Sequence, residues 1–420
     1  MKISAFLRGM HPWMLRHAGW WLAGSAAVHG LTVIATRPDM LDLQVYYAAS
    51  PQVLSGQLYD YSLHPGGPLT SLPFTYPPFA ALLFLPLSLL PWAAAACLWQ
   101  LMSVAALFLI VGCTGRLLFG GAGRMSREQV MVWVGACLWL EPVRHTLDLG
   151  QVNLILGALV LWSLTTSLGA GTRGAAVGVA AGVKLTPAIG GLYLLATRQW
   201  RAAAWSLVAF SGTVALAWLV VPRDSARYWY TLVGNPDRMG RVSSVRNQSV
   251  RGALSRTLGH DVAYGPTWWT AAAVVAVAAG CAVWAAARRR DRLGILVTVQ
   301  LAGLLLSPIS WSHHWIWCVP AMIWLAHGPC RQRLLSRVTL AAWTIATVAR
   351  VVPYLTRIQE SLPGDRVYPA RLALFGWVYA LCSVLTLLGR QQPAVVPVPD
   401  RITQAGYVEG HGGRTHTVRL

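Results

Sequence analysis

Acidic residues are scarce in this chain, 14 Asp and Glu against 34 Lys and Arg, so a carboxylate close to an apolar stretch is informative. Asp42 stands in Leu41-Asp-Leu-Gln-Val-Tyr-Tyr47, six residues beyond an apolar run that ends near Thr36. Its neighbours Leu41, Leu43, Val45 and Tyr46 read as a short helix lying along a membrane surface, which would hold the carboxylate at the interface. A carboxylate anchored there can accept a proton from a hydroxyl, the general-base role, if it stays ionised and within hydrogen-bond reach. A helix cap or a solvated charge would also account for it, and Asp39, after Pro38, reads as such a cap.

Five other segments carry groups with chemical potential. Glu141-Pro-Val-Arg-His-Thr-Leu-Asp-Leu-Gly-Gln-Val-Asn153 gathers Glu141, Arg144, His145, Asp148, Gln151 and Asn153 at a junction between apolar stretches, where some must pair with one another and some can face a cavity. Lys184, in Gly-Val-Lys-Leu-Thr-Pro, falls inside an apolar run; a cation there is costly and points to an anionic partner such as phosphate, unless it snorkels. Ser243-Ser-Val-Arg-Asn-Gln-Ser-Val-Arg-Gly252 clusters Arg246 and Arg251, which suit phosphate, with Asn247 and Gln248, which suit hydroxyls; a solvated loop is the plain alternative. In Ser307-Pro-Ile-Ser-Trp-Ser-His-His-Trp-Ile-Trp317 the tryptophans fit an interface belt, whereas the adjacent His313 and His314 can bind phosphate or position a hydroxyl. Tyr76, among three prolines in Leu72-Pro-Phe-Thr-Tyr-Pro-Pro-Phe79, reads as an interface anchor or a ligand contact. No metal site is expected, because the seven cysteines lie mostly within apolar runs and the His pair lacks the spacing of a zinc helix.

The elements that must position these groups are membrane spans. Of 420 residues 55% are hydrophobic and 11% charged, less than half the charge of an ordinary soluble domain. Apolar runs near 17–36, 76–91, 94–113, 129–143, 151–168, 174–196, 203–221, 267–287, 293–308, 313–327, 336–352 and 371–389 predict an all-α polytopic protein with about ten to twelve spans. The net charge of +20 sits between and beyond these runs, which is the positive-inside pattern and an attraction to anionic lipid rather than a nucleic-acid surface. The Arg-rich segments 288–292 and 331–337 mark the cytoplasmic face. Counting spans from them puts 222–266 and 307–313 on the opposite face, and counting from the N-terminus puts 37–75 there too. Residues 1–390 form the membrane domain, beginning with an uncleaved signal anchor, and the basic, Pro- and Gly-rich stretch 391–420 is expected to be a flexible cytoplasmic tail. No internal repeat is evident, which weighs against a transporter built of two similar halves.

Taken in order, Asp-Leu-Gln-Val-Tyr at 42–46, Pro-Phe-Thr-Tyr-Pro-Pro-Phe-Ala-Ala at 73–81, Gly-Val-Lys-Leu-Thr-Pro-Ala-Ile at 182–189, Asn-Gln-Ser with Arg-Gly-Ala at 247–253 and Leu-Ser-Pro-Ile-Ser-Trp-Ser-His-His-Trp at 306–315 resemble glycosyltransferase family 87, of the C-type membrane glycosyltransferase superfamily. The resemblance implies a C-type fold and an inverting α-(1→2)-mannosyl transfer. Its donor would be polyprenyl-phosphate-mannose and its acceptor a phosphatidylinositol mannoside, at the periplasmic face of the inner (plasma) membrane, with no cofactor. It makes Asp42 the catalytic residue and carries over His313 and His314 as contacts to donor phosphate or acceptor. Lys184, Gln151, Asn153, Asn247, Gln248, Arg251 and Tyr76 stand at motif positions as substrate-binding candidates. A lipomannan-branching enzyme, an arabinosyltransferase using decaprenyl-phosphate-arabinose and a polyprenyl-phosphate or lipid transporter are the alternatives.

Overall fold

The apolar runs fold as helices because backbone polar groups within lipid must find partners inside their own segment. The structure, a computed structural model, describes residues 12–64, 71–120, 123–361 and 377–388. In chain order the main helices are α1 (Ala18–Thr36), α2 (Leu41–Ala49), α3 (Pro78–Phe84), α4 (Trp92–Phe119), α5 (Arg127–Cys137), α6 (Glu141–Leu149), α7 (Asn153–Thr165), α8 (Ala170–Val183), α9 (Gly190–Ala196), α10 (Trp200–Val220), α11 (Val250–Leu258), α12 (Pro266–Arg288), α13 (Arg292–Leu306), α14 (Cys318–His327), α15 (Leu334–Val348), α16 (Val351–Glu360) and α17 (Val378–Leu388). A two-stranded antiparallel pairing of Ser62–Leu63 with Leu72–Pro73 is the only sheet among the described residues.

The expected all-α, polytopic character is present. Among the described residues α1, α4, α10 and α12 are each long and apolar enough to cross a membrane, and the bent pairs α6–α7 and α15–α16 add two spans if each counts as one. Large apolar side chains such as Trp20, Leu219 and Val274 stand exposed on these helices, as lipid-facing surface requires. The other expected runs are shorter or broken. The run at 174–196 stops at Val183 and resumes through a 3-10 turn, Thr186–Ile189, whose Pro187 lacks the amide a continuous helix needs. The run at 313–327 begins as a 3-10 turn, Ser312–Trp317, before α14. Residues 371–376 and 389 of the last run, and the tail 391–420, lie outside the described residues.

Close helix contacts depend on small residues. Gly174, Gly178 and Gly182 share one face of α8, and a Cβ at each would lie 2.1 to 2.2 Å from Ala202 O, Ser206 O and Thr213 Oγ1 of α10. This spacing lets two membrane helices touch along their backbones. It also fixes the end of α8, where Lys184 follows.

Two sets of linkers segregate to opposite ends of α13. At its start, Asp291 caps the helix and accepts from Trp324 Nε1 at 2.8 Å, while Arg289 Nη1 reaches Cys330 Sγ at 3.7 Å, so the two Arg-rich segments adjoin. At its other end, the backbones of Asn247 and Trp311 bridge, and Gln248 N donates to Ser310 O at 2.8 Å. The segments 222–266 and 307–313 therefore meet at the end of α13 far from the arginines.

The 118° bend between α6 and α7 turns at Gly150. Its φ of +65° is accessible to glycine without strain, and a Cβ there would sit 2.6 Å from Leu43 Cβ on α2. Gly150→Ala should therefore lower the thermal midpoint in detergent, at a cost of about 1–3 kcal/mol for the strained backbone alone, and should impair turnover by displacing the adjacent Gln151. Gly112→Ala, where nothing lies within 4 Å, should leave both intact.

Candidate active site

α2 begins after Met40, which adopts a left-handed φ of 48° as its N-cap. The helix buries Leu43, Val45, Tyr46 and Ala49 and leaves Asp42 partly exposed at its first turn. Asp42 Oδ2 accepts a 2.8 Å hydrogen bond from Gln151 Nε2, just beyond the bend. The other end of the same amide is crowded with donors. Gln151 Oε1 accepts from Tyr46 OH at 2.8 Å, Tyr76 OH at 2.9 Å, Val152 N at 3.0 Å and, more distantly, Lys184 Nζ at 3.4 Å. The amide can take only the orientation that aims its NH2 group at Asp42.

Lys184, at the break after α8, is buried. Its Nζ donates to Asn153 Oδ1 at 2.7 Å and to His314 Nε2 at 3.3 Å, and it lies 5.3 Å from the centre of the Tyr76 ring. Receiving that bond at Nε2 leaves His314 its proton on Nδ1. Among the described residues neither His314 Nδ1 nor His313 Nδ1 has a partner. The His313 carbonyl accepts from Asn153 Nδ2 at 2.9 Å and Thr146 Oγ1 at 3.1 Å, which ties the 3-10 turn to α6 and α7. Behind it, His145 Nδ1 pairs with Ser312 Oγ at 2.8 Å and lies 3.3 Å from Glu141, whose other oxygen accepts from Tyr379 OH at 2.6 Å.

Of the predicted site residues, Asp42, Tyr76, Gln151, Asn153, Lys184, His313 and His314 thus converge on one constellation. Asn247, Gln248 and Arg251 do not join it. Asn247 is fully buried, donating to Val242 O and Pro308 O and accepting from Ser249 N and Ser310 N, while Gln248 bonds Val245 O and Tyr379 N. Both brace the loop. Arg251 forms a two-pronged pair with Asp261, at 3.0 and 2.7 Å, and its guanidinium holds that carboxyl below its usual range. Tyr46 and Thr146 were not foreseen as site members. Tyr46 was detectable, since it lies four residues after Asp42 on one helix face.

A cavity of about 250 Å³ opens beside this constellation, with Asn153 and His314 at its polar end and Leu156, Leu185, Ile189 and Leu304 among its apolar walls. The site therefore offers a directed carboxylate, a buried cation with imidazole donors and an adjoining apolar chamber. Such a set can remove a proton from a hydroxyl while an anion attached to an apolar chain is held nearby.

Burial pushes the Asp42 carboxyl above the 3.8 of a free side chain, against the opposing pull of Lys184, His145 and the Gln151 hydrogen bond. A base works deprotonated, so turnover should fall as pH drops through a value above 3.8. Removing the Gln151 bond favours the protonated acid, so in Gln151→Leu this acid limb should move to higher pH; pH profiles of both proteins measure it.

The model of glycosyltransferase family 87 matches residues 74–308. A polyprenol-phosphate-mannose-dependent α-(1-2)-phosphatidylinositol pentamannoside mannosyltransferase of Mycobacterium tuberculosis (strain CDC 1551 / Oshkosh) is 44% identical over 83% of this chain and 80% of its own. The protein of the same description from Mycolicibacterium smegmatis is 41% identical over 83% and 84%. A phosphatidylinositol mannoside mannosyltransferase of Mycobacterium tuberculosis (strain ATCC 25618 / H37Rv) is 32% identical over 88% and 89%. With its motifs and site carried on this extent of likeness, the chain belongs to glycosyltransferase family 87.

Proposed function

We propose that this protein transfers mannose from polyprenyl-phosphate-mannose, with inversion, to a phosphatidylinositol mannoside, forming an α-(1→2) linkage at the extracytoplasmic face of the plasma membrane. The observation that carries the reading is the Asp42–Gln151–Lys184 array, in which one amide separates a directed carboxylate from a buried cation. The relatives described above are named for this donor and for phosphatidylinositol mannoside acceptors.

In the proposed reaction the acceptor hydroxyl attacks C1 of the mannosyl phosphate as its proton passes to the Asp42 carboxylate. The C1–O bond to phosphate breaks, and the electron pair leaves with the polyprenyl phosphate. Inversion needs this single base, whereas retention through a glycosyl-enzyme needs a second carboxylate as nucleophile. Glu141 is unsuited to that part, being occupied by Tyr379 and His145. Phosphate is a weakly basic leaving group, so Lys184 and His314 need only stabilise its charge. The apolar cavity beside His314 suits the first part of the prenyl chain. The sidedness is supported by the arginines at 288–292 and 331–337, which favour the cytoplasm, and by the position of 222–266 and 307–313 at the opposite end of α13.

The test uses purified protein with labelled polyprenyl-phosphate-mannose and a panel of phosphatidylinositol mannosides, the product linkage being assigned by NMR. An α-(1→2)-mannoside is expected, with no transfer from GDP-mannose. A short impermeant mannoside should be modified by spheroplasts but not by sealed inverted vesicles. Transfer from GDP-mannose without lipid donor would refute the donor assignment, and reaction only in inverted vesicles would refute the sidedness.

A further inference from the structure

The polar face of α6 has two halves. Glu141, Arg144, His145 and Asp148 recur at helical spacing and share one side of the helix. The half formed by Glu141 and His145 is closed by Tyr379 and Ser312. The half formed by Arg144 and Asp148 is not. Arg144 Nε stands 3.8 Å from Asp148 Oδ2, beyond hydrogen-bond range, and among the described residues no side chain hydrogen-bonds that carboxylate.

Other unsatisfied groups gather around it. Arg350 begins α16 at the 48° break from α15, with an unfavourable φ of 53° for a side-chain-bearing residue, and α15 packs on α6. Arg350 acts electrostatically on the Asp148 carboxylate, as Arg144 does, and His29 lies within the same reach. Arg144 Nε, Arg350 Nε and His29 Nδ1 are buried, and among the described residues none has a hydrogen-bond partner. Natural proteins rarely leave several such groups together without a role for them. Trp139 completes the wall, with Arg144 5.9 Å from its ring centre and His29 edge-on at 6.3 Å.

We propose that Arg144, Asp148 and Arg350 form a subsite for the acceptor sugar that precedes the reacting one. The Asp148 carboxylate accepts from the sugar's hydroxyls, and the guanidiniums donate to its oxygens. This rests on the mannosyltransferase reading and deepens it. His145, next to Arg144 in sequence, bonds Ser312 and meets the His313 ring edge-on at 5.2 Å, so a sugar here would lie beside the turn that carries His314. A lipid phosphate fits less well, because Asp148 would repel it, whereas a neutral polyol uses both the carboxylate and the cations.

The experiment compares kcat/KM for a two-sugar and a one-sugar mannoside acceptor, with polyprenyl-phosphate-mannose as donor, in wild type, Asp148→Asn and Arg350→Gln. The two-sugar over one-sugar ratio should fall about tenfold or more in both variants, as expected when a hydrogen bond to a charged group is lost, while the donor KM holds. A purely structural role would lower both acceptors together and leave the ratio unchanged. That unchanged ratio in active variants overturns the subsite alone, as would a matching loss for phosphatidylinositol bearing a single mannose. Wild-type transfer to neither acceptor overturns the underlying reading as well.

Discussion

The orientation of one side-chain amide, that of Gln151, is the constraint on which the site depends. A free glutamine can present oxygen or nitrogen to a carboxylate with little preference. Here Tyr46, Tyr76, the Val152 amide and Lys184 all donate to its oxygen, and because the Val152 N–H and the Lys184 ammonium can only donate, reversing the amide would set its NH2 against those two and its oxygen against Asp42. Fixing the amide fixes the carboxylate, which is the condition for a base to meet a hydroxyl without a search through rotamers.

Holding the amide requires helices that break in defined places. The turn at Gly150 brings Gln151 against α2, and Leu43 leaves no space for a side chain at the bend. The break after Val183 delivers Lys184 to the same point from the other side. A buried ammonium is tolerable only with polar partners, and Asn153, Gln151 and His314 supply them. The glycine contact between α8 and α10 and the Thr146 and Asn153 bonds to the His313 carbonyl set these breaks in register. The apparent surplus of polar residues at 141–153 is therefore divided between a closed network, the amide relay and the open Arg144–Asp148 half.

Much of this was legible in the sequence, and the exceptions have physical causes. Asp42 and Lys184 stood out because charge near lipid is costly enough to need a reason. The helices α1, α10 and α12 followed from hydropathy, since each is an uninterrupted apolar run. Lys184 before Pro187, and the gap between the runs 129–143 and 151–168, marked breaks in the sequence, but the residue at which each helix stops depends on what packs against it. The Asn247–Arg251 segment read equally well as ligand-binding or structural, since an amide that can bind a hydroxyl binds a backbone carbonyl as readily. Burial decided the matter, and burial is a property of the assembled loops. The electrostatic pull of Arg350 on Asp148 of α6 joins residues about 200 positions apart, beyond the reach of any local pattern.

The claim at the centre is that Asp42 takes the proton of the acceptor hydroxyl, and replacing it with Asn tests this most directly. Asparagine keeps the size and can still meet Gln151, but it has no basicity. Single-turnover transfer should be compared for Asp42→Asn and for Asp39→Asn, an exposed neighbour outside the array, at equal folded protein and with lipid binding measured separately. Asp42→Asn should bind both substrates and transfer about 10² to 10⁴ times more slowly, while Asp39→Asn should stay near wild type. If Asp42→Asn retains more than roughly a tenth of the wild-type rate, above the range for a lost base, the carboxylate is structural and the mechanism is wrong.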